Sequence, residues 1–218
     1  MNTLQSKGIT MVKIDANKAS IVAVSGGEKS LVIDGEYKYS SEDGILYVRP
    51  NIRNEIKIRM PKNIRIVIRI KHGDVRIADM DEPVRVQSEL ANVSLYRCND
   101  VEISNYSGKT SVDDAKTKVR VTSESGPVVL TGIAAVDTVI KTENGNISAA
   151  YSSIPVDTTC MAQTGKGIIQ TSSTVESSLV IVSVVGFGSN KKVDIHDGII
   201  MKTLSGNINI SVISETEL

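Results

Sequence analysis

A turn centred on a small residue recurs along most of this 218-residue chain at nearly constant spacing. Two copies share their flanking residues as well: KTENGNIS begins at Lys141, and KTLSGNI begins at Lys202. A turn that requires positive φ selects glycine, because glycine has no Cβ to clash in that conformation. We expect each anchor to mark one structural repeat of 17–21 residues. The anchors are Gly73, Ala91, Gly108, Gly126, Gly145, Gly165, Gly186 and Gly206.

Apolar and polar residues alternate between the anchors, as in Val101-Glu102-Ile103 and Val119-Arg120-Val121. A period of two indicates half-buried strands, so each repeat consists of a strand, a glycine turn and a second strand. The repeat is too short for a propeller blade, and it lacks the leucine-rich signature. We therefore predict an all-β fold, a β-helix or β-solenoid with about eight coils.

The region before the repeat alternates in the same way but has no fixed period. Residues 55–70 predict a hairpin that turns at Pro61-Lys62-Asn63. We predict that residues 1–60 form an N-terminal β cap region over the first coil. Residues 61–218 then form the β-solenoid repeat region, within one continuous domain. The strands predicted inside the cap are 9–14, 20–24, 30–33 and 45–48.

Composition narrows the class of protein further. Trp is absent and Phe occurs once, so branched aliphatic residues must fill the core, and these favour strands. Cys98 and Cys160 form no metal-binding or redox motif, and we predict two free buried thiols in a reducing cytoplasm, with one disulfide between them as the alternative. The chain shows no signal-peptide pattern and no membrane span of about 20 apolar residues. We expect a cytoplasmic protein.

Residues 55–77 read EIKIRMPKNIRIVIRIKHGDVRI, and Ser/Asn-Gly turns follow them. On the basis of these motifs, residues 55–218 resemble the adhesin-like β-repeat family of bacteria and archaea, a domain of unknown function. The resemblance implies a β-solenoid fold and leaves the biochemical role open. Bactofilins, which are cytoskeletal β-helices that polymerise end to end, are a more distant similarity in shape.

No motif in the sequence predicts catalysis. Gly108-Lys109-Thr110 lacks the earlier glycine of a phosphate-binding loop, since Ile103 stands in its place. Asp194 and His196 share one face of a predicted strand; we interpret them as part of a solvated turn, with a metal site as the alternative. We predict a protein that is not an enzyme, with no catalytic residues, no metal site and no cofactor.

Charge is distributed unevenly along the chain, although the formal net charge is zero. Residues 49–76 carry a net charge of +7, and residues 122–218 carry −4. In the predicted hairpin, alternation places four cations on one outer face, and these are the candidate binding residues. They are Lys57, Arg59, Arg65 and Arg69.

Three interpretations of this basic face remain open. It is a solvated face or protects an exposed edge strand, it docks on a negative protein surface such as the acidic end of another copy, or it binds a polyanion such as nucleic acid or lipid headgroups. The main functional hypothesis is a non-enzymatic scaffold or interaction protein that docks a protein partner or self-associates into a homo-oligomer or filament. The alternative is a polyanion- or glycan-binding module that uses the hairpin over residues 55–70.

Overall fold

The computed structural model describes residues 2–4, 6–26, 30–51, 54–134, 137–152, 159–173, 181–185, 198–205 and 208–212. All regular secondary structure in these ranges is β-strand, as the alternating pattern predicts. Within the same ranges, no helix is long and apolar enough to cross a membrane. The strands are β1 Asn2–Leu4, β2 Met11–Gly26, β3 Leu31–Asp34, β4 Tyr37–Glu42, β5 Ile45–Pro50, β6 Glu55–Pro61, β7 Arg65–Met80, β8 Val84–Cys98, β9 Asp100–Ser107, β10 Thr110–Asp113, β11 Lys118–Ser125, β12 Val128–Ile133, β13 Asp137–Asn144, β14 Ile147–Tyr151, β15 Thr159–Lys166, β16 Ile169–Ser173, β17 Ile181–Val185, β18 Gly198–Ser205 and β19 Ile208–Val212.

Parallel strand pairing stacks successive coils on one another. Ile66 on β7 is in register with one residue on each of the next four coils, at intervals of 17–19 residues. These residues are Val84, Val101, Val119 and Thr138. The second strands stack in the same order, from β8 through β10 and β12 to β14. This regular advance confirms the predicted all-β solenoid.

Each coil has two strand arms that meet at a corner. In β2 the buried positions are even-numbered up to Ala16 and odd-numbered from Ala19 onward, and Asn17 and Lys18 between them are both exposed. Successive side chains on a strand point to opposite faces, so two consecutive exposed residues mark the bend. We call the part of a coil before the bend the first arm and the part after it the second arm.

A column of closely approaching backbones runs along the corner. Gly108 has a φ of 119°, and a Cβ added there would lie 2.3 Å from the carbonyl oxygen of Ala91. Gly126 repeats the arrangement on the next coil, with a φ of 125° and 2.3 Å to the carbonyl oxygen of Gly108. Both the positive φ and the close contact exclude a side chain, which explains why glycine recurs.

One predicted anchor of this column is wrong. Gly167 continues it, since a Cβ added there would lie 2.1 Å from the carbonyl oxygen of Gly145, whereas Gly165 faces the carbonyl oxygen of Glu143. The segment Gly165-Lys166-Gly167 offers two glycines two residues apart, and alternation alone cannot choose between them. The anchors predicted at residues 186 and 206 lie outside the described residues.

The core consists of rows of branched aliphatic side chains that stack along the solenoid axis. One row runs through Ile14, Ile68, Val86, Ile103 and Val121, and each of these is at most 2% exposed. The parallel register aligns the branched aliphatic residues of successive coils. Each side chain therefore packs against the corresponding side chains in the coils above and below. Burying one such side chain stabilises the fold by about 1.5–3 kcal/mol.

The core row nearest the corner is polar. Asn105 Nδ2 donates a hydrogen bond to the carbonyl oxygen of Ala91 (3.0 Å), and Thr164 Oγ1 donates one to the carbonyl oxygen of Gly145 (2.9 Å). Asn105 and Thr164 thus satisfy carbonyl groups of the corner column, where unpaired buried acceptors would be costly. The hydroxyl groups of Ser123 and Thr142 in the same row have no hydrogen-bond partner among the described residues. The row consists of Ser88, Asn105, Ser123, Thr142 and Thr164, all buried.

The N-terminal region contributes two segments to the parallel stack. β2 lies beside β7 from Met11 opposite Arg65 to Val24 opposite Ala78, and its other edge pairs with β5 and β6. The coils therefore stack in the order β5 with β6, then β2, then β7, which differs from their order in the chain. Strands β1, β3 and β4 add to this end in antiparallel pairs. The boundary between residues 60 and 61 stays a prediction.

Pairing changes near the C-terminal end of the stack. β18 lies directly on β15, with Ile199 opposite Cys160, and β19 lies on β16. β17 pairs with the other edge of β18, where Ile181 is opposite Ile199. The coil that continues the stack after β15 and β16 is therefore formed by β18 and β19.

Candidate functional site

The hairpin predicted over residues 55–70 does not form. β6 and β7 both run parallel to β2, which lies between them. Lys57 lies opposite Val22 on the second arm, whereas Arg65 lies opposite Met11 on the first arm. The prediction failed because the strand that separates the two segments comes from the N-terminal region, and local alternation carries no information about that insertion.

The four predicted binding residues are therefore divided between two faces. Lys57 and Arg59 lie on β6, where β3 pairs with them and places Asp34 opposite Lys57. Lys57 Nζ lies 3.0 Å from Glu55 Oε1, and the hydrogen bond and charge of Glu55 raise the pKa of Lys57. Acidic side chains thus offset the charge of Lys57 on this face. A binding role for the four residues stays a prediction.

The other two predicted residues belong to a group of four cations on the outer face of the first arm. Arg65 and Arg69 flank Val67 on β7. Val67 lies opposite Lys13 on β2 and opposite Arg85 on β8. Neighbouring strands are about 4.8 Å apart, and alternate residues on one strand about 6.6 Å, so all four cations surround Val67. We call Lys13, Arg65, Arg69 and Arg85 the basic cluster.

Charges within the basic cluster are only partly compensated. Arg85 Nε lies 3.2 Å from Glu102 Oε2, and Lys13 Nζ lies 5.5 Å from the centre of the Tyr47 ring. Arg65 and Arg69 are both exposed, and neither forms an ion pair with a described residue. Asp15 is in register with Arg69 but does not form an ion pair with it. No carboxylate of a described residue therefore neutralises the positive charges of the two arginines.

A groove runs along the outside of the corner, next to the basic cluster. Its volume is about 1070 Å³, and it extends from β2 to β13. Arg69, Gln87 and Ser104 also line a smaller depression of about 250 Å³ beside Arg85, so the cluster and the groove are contiguous. We call this feature the corner groove. Its exposed or half-buried polar lining residues are Asp15, Asn17, Arg69, Lys71, Gln87, Glu89, Ser104, Tyr106, Thr122, Glu124 and Glu143.

Charge changes along the corner groove. Arg69 and Lys71 lie on β7, and Lys71 Nζ is 4.0 Å from Glu89 Oε1 on the next coil. Glu124 and Glu143 follow on β11 and β13. Tyr106 lies between these ends on β9, and 56% of its surface is exposed. The groove therefore combines an aromatic ring with carboxylate, amide and hydroxyl groups.

Three residues of the candidate surfaces were not predicted from the sequence, namely Arg85, Lys13 and Tyr106. Arg85 follows Val67 by one coil length of 18 residues, so the repeat spacing would have placed it in the cluster. Lys13 carries no such signal, because β2 stands outside the periodic region. Tyr106 directly precedes the turn at Gly108, but the sequence does not show that outward residues at this bend line a groove.

The described residues show little of what nucleophilic or metal chemistry requires. Cys98 and Cys160 are buried and unpaired, as predicted, and burial raises the pKa of each to about 11. Both thiols therefore stay protonated at neutral pH, and the thiol is a weak nucleophile. No group of three His, Cys, Asp or Glu within the described ranges could hold a metal ion. Asp194 and His196 lie outside those ranges.

Fold and surface together define a parallel β-solenoid repeat protein with a basic outer face beside a corner groove. The chain belongs to the Toastrack DUF4097 family, whose family model matches residues 4–218. This match confirms the predicted resemblance to a β-repeat family of unknown function. The more distant similarity to bactofilins stays a prediction. No curated protein matches the chain.

A solved structure is also similar to this chain. It is described as a "putative cell adhesion protein" from Clostridium sporogenes ATCC 15579. The two chains are 14% identical, and the similarity covers 97% of each. The TM-score is 0.35, which is too low to support an argument about architecture or function.

Proposed function

We propose that this protein is a non-enzymatic interaction module whose basic cluster docks on an acidic surface of a protein partner. The observation that carries the proposal is a pair of exposed arginines on β7, Arg65 and Arg69, which form no ion pairs with described residues. Lys13 and Arg85 extend the same positive field on both neighbouring strands. The proposal includes a cytoplasmic location, which fits two unpaired thiols.

The composition of the cluster favours a protein partner over nucleic acid. Arg side chains bind carboxylates through two parallel hydrogen bonds, so Arg65 and Arg69 suit Asp and Glu side chains. Val67 gives the cluster a half-buried apolar centre, and protein interfaces typically have an apolar core with a polar rim. The Tyr47 ring beside Lys13 is half-buried, so it offers little surface for the base stacking that single-stranded nucleic acid would require.

Fluorescence anisotropy with a labelled oligoglutamate peptide tests the proposal. Replacing Arg65 and Arg69 with Ser should weaken binding by about tenfold or more at low salt, because charge-assisted contacts are lost. Rising salt should weaken binding by the wild-type protein, since exposed charges are screened. A labelled DNA duplex of equal charge is measured in parallel.

The matched control replaces Lys57 and Arg59 with Ser, which changes the net charge by the same amount on the other face. We expect this variant to bind the peptide within about threefold of wild type, since Glu55 and Asp34 already offset the charge of Lys57. Equal losses in both variants would show attraction to net charge alone and contradict the proposed site. Tighter binding of the DNA duplex than of the peptide would instead support the polyanion hypothesis.

Self-association is a second candidate, favoured by acidic residues on the same surface. Glu89, Glu124 and Glu143 lie along the corner groove, and the basic cluster of another copy is complementary to them. Because both groups lie on the same surface, a two-fold contact would produce a dimer, whereas a head-to-tail contact would produce open filaments or closed rings. Light scattering over a range of concentration and salt should show growth at low salt that Arg65→Ser with Arg69→Ser abolishes. A constant monomer mass under all these conditions would contradict self-association.

A further inference from the structure

We infer that the corner groove binds an extended, neutral oligosaccharide along the solenoid axis. This inference rests on the groove and does not depend on the protein-docking function proposed for the basic cluster. The groove crosses six stacked coils, from β2 to β13. Five steps of about 4.8 Å give it a length of roughly 24 Å, enough for several sugar units.

The spacing of the lining residues matches a ligand of similar repeat. Outward side chains recur once per coil, about 4.8 Å apart, because parallel register stacks them, although their types differ from coil to coil, as Lys71, Glu89 and Tyr106 show. A pyranose unit in an extended chain advances by a comparable distance, so each successive unit would lie beside the lining side chains of one coil. An extended peptide advances by only about 3.3 Å per residue and would lose this match after one or two residues.

The two walls of the groove offer the chemistry that sugars require. On β9, Ser104 lines one wall and Tyr106 the other, and on β11 Thr122 and Glu124 do the same. An exposed Tyr ring packs against the apolar face of a pyranose ring. Hydroxyl, amide and carboxylate groups, such as that of Gln87, hydrogen-bond to sugar hydroxyl groups.

Other ligands fit the groove less well. The carboxylates of Asp15, Glu89, Glu124 and Glu143 outnumber the cations in the described lining, so a polyanion would be repelled along most of its length. The strands cross the groove axis, and their backbone groups are already paired between coils. A peptide along the groove therefore cannot add to the sheet as a further strand.

Isothermal titration calorimetry with three β-1,4-linked hexasaccharides, of glucose, mannose and N-acetylglucosamine, tests the inference. At least one should bind to the wild-type protein. Tyr106→Ala should weaken that binding by about tenfold, because the stacking surface is removed, whereas Tyr106→Phe should retain it. The α-1,4-linked hexasaccharide of glucose, which coils instead of extending, should bind less tightly than the extended ligand.

Tyr39 supplies a matched control, since it is as exposed as Tyr106 (56%) and lies on β4, away from the groove. Tyr39→Ala should leave the affinity unchanged. Absence of binding by all three extended hexasaccharides at millimolar concentration would overturn the inference. So would equal losses from Tyr39→Ala and Tyr106→Ala. Oligoglutamate binding to the basic cluster is measured on the same variants and should not change, which separates failure of this inference from failure of the proposed function.

Discussion

Asn105 Nδ2 lies 3.0 Å from the carbonyl oxygen of Ala91, the position where alanine replaces glycine in the corner column. The same amide lies 3.2 Å from Thr110 Oγ1, and Ser88 Oγ donates to Asn105 Oδ1 at 2.8 Å. Asn105 is 2% exposed. One side chain therefore connects two successive coils inside the core, β8 and the coil formed by β9 and β10, at the bend between the two arms.

Asn105→Ala should lower the free energy of unfolding by about 2–4 kcal/mol, because it leaves several buried polar groups unpaired and opens a cavity. Urea denaturation followed by circular dichroism measures the loss. Asn92→Ala is the matched control: Asn92 also bridges coils, to Asp74 and to the Lys109 amide, but it is exposed. We expect Asn92→Ala to lower the free energy of unfolding by less than about 1 kcal/mol. Equal losses in the two variants would show that burial of the Asn105 amide is unimportant.

Gly126→Ala should destabilise the solenoid strongly. The new Cβ would lie 2.3 Å from the carbonyl oxygen of Gly108, and the φ of 125° is unfavourable for alanine. We expect a loss of about 2–4 kcal/mol, visible as a lower midpoint in thermal unfolding. Gly26→Ala provides the comparison, since no atom of a described residue lies within 4 Å of its added Cβ, and it should unfold within a few degrees of wild type. A Gly126→Ala protein as stable as Gly26→Ala would refute the tight corner.

Much of the stack could be predicted from the sequence because alternation and spacing are local properties. Val101-Glu102-Ile103 shows which side chains point inward, and an interval of 17–19 residues shows which ones stack. The same interval places Arg85 beside Val67. Where two glycines stand two residues apart, as at Gly165 and Gly167, this local information becomes ambiguous.

The candidate site was harder to predict because it depends on long-range order. β2 inserts between β6 and β7, which separates Lys57 from Arg65 and brings Lys13 beside Val67. The sequences of β6 and β7 do not predict that insertion, since any strand with the same apolar alternation could pair with their edges. The corner groove likewise arises from the bend, and Tyr106 is visible as a binding candidate only after the coils have been stacked.

Stability should decrease in alkaline solution for a reason that can be assigned to two residues. Burial raises the pKa of Cys98 and Cys160 from 9.0 to about 11. Between these values the unfolded chain has released thiol protons that the folded chain retains, so rising pH favours unfolding. We expect the free energy of unfolding to fall from pH 9 to about 11, as measured by urea denaturation at each pH.

The variant Cys98→Ala with Cys160→Ala removes the thiol contribution. Burial also raises the pKa of Tyr151, and its hydrogen bond with Cys160 adds to that shift, so the difference between the two pH profiles reports the thiols together with their effect on Tyr151. The variant should lose less stability over this pH range than wild type does. Parallel profiles for the two proteins would show that the buried thiols do not titrate as described.

Removing residues 1–26 should disrupt the whole solenoid, because β2 is an internal coil. Its first arm covers the edge of β7 at Ile66 and Ile68, and its second arm covers Val75 and Ile77. Without β2 these edges lose their parallel partner, and β5 and β6 lose their attachment to the stack. We expect binding of a hydrophobic dye and loss of cooperative unfolding, measured by fluorescence and by thermal denaturation.

Removal of residues 1–7 is the appropriate comparison, because among the described strands it deletes only β1, which pairs antiparallel with β3 at the end of the stack. This shorter deletion should lower the melting temperature by a few degrees and leave unfolding cooperative, since the parallel coils remain intact. If the protein without residues 1–26 also unfolds cooperatively and binds no dye, then β2 acts as a dispensable cover rather than as a coil. The stacking order β5 with β6, β2, β7 would then be wrong, and the basic cluster would lose Lys13.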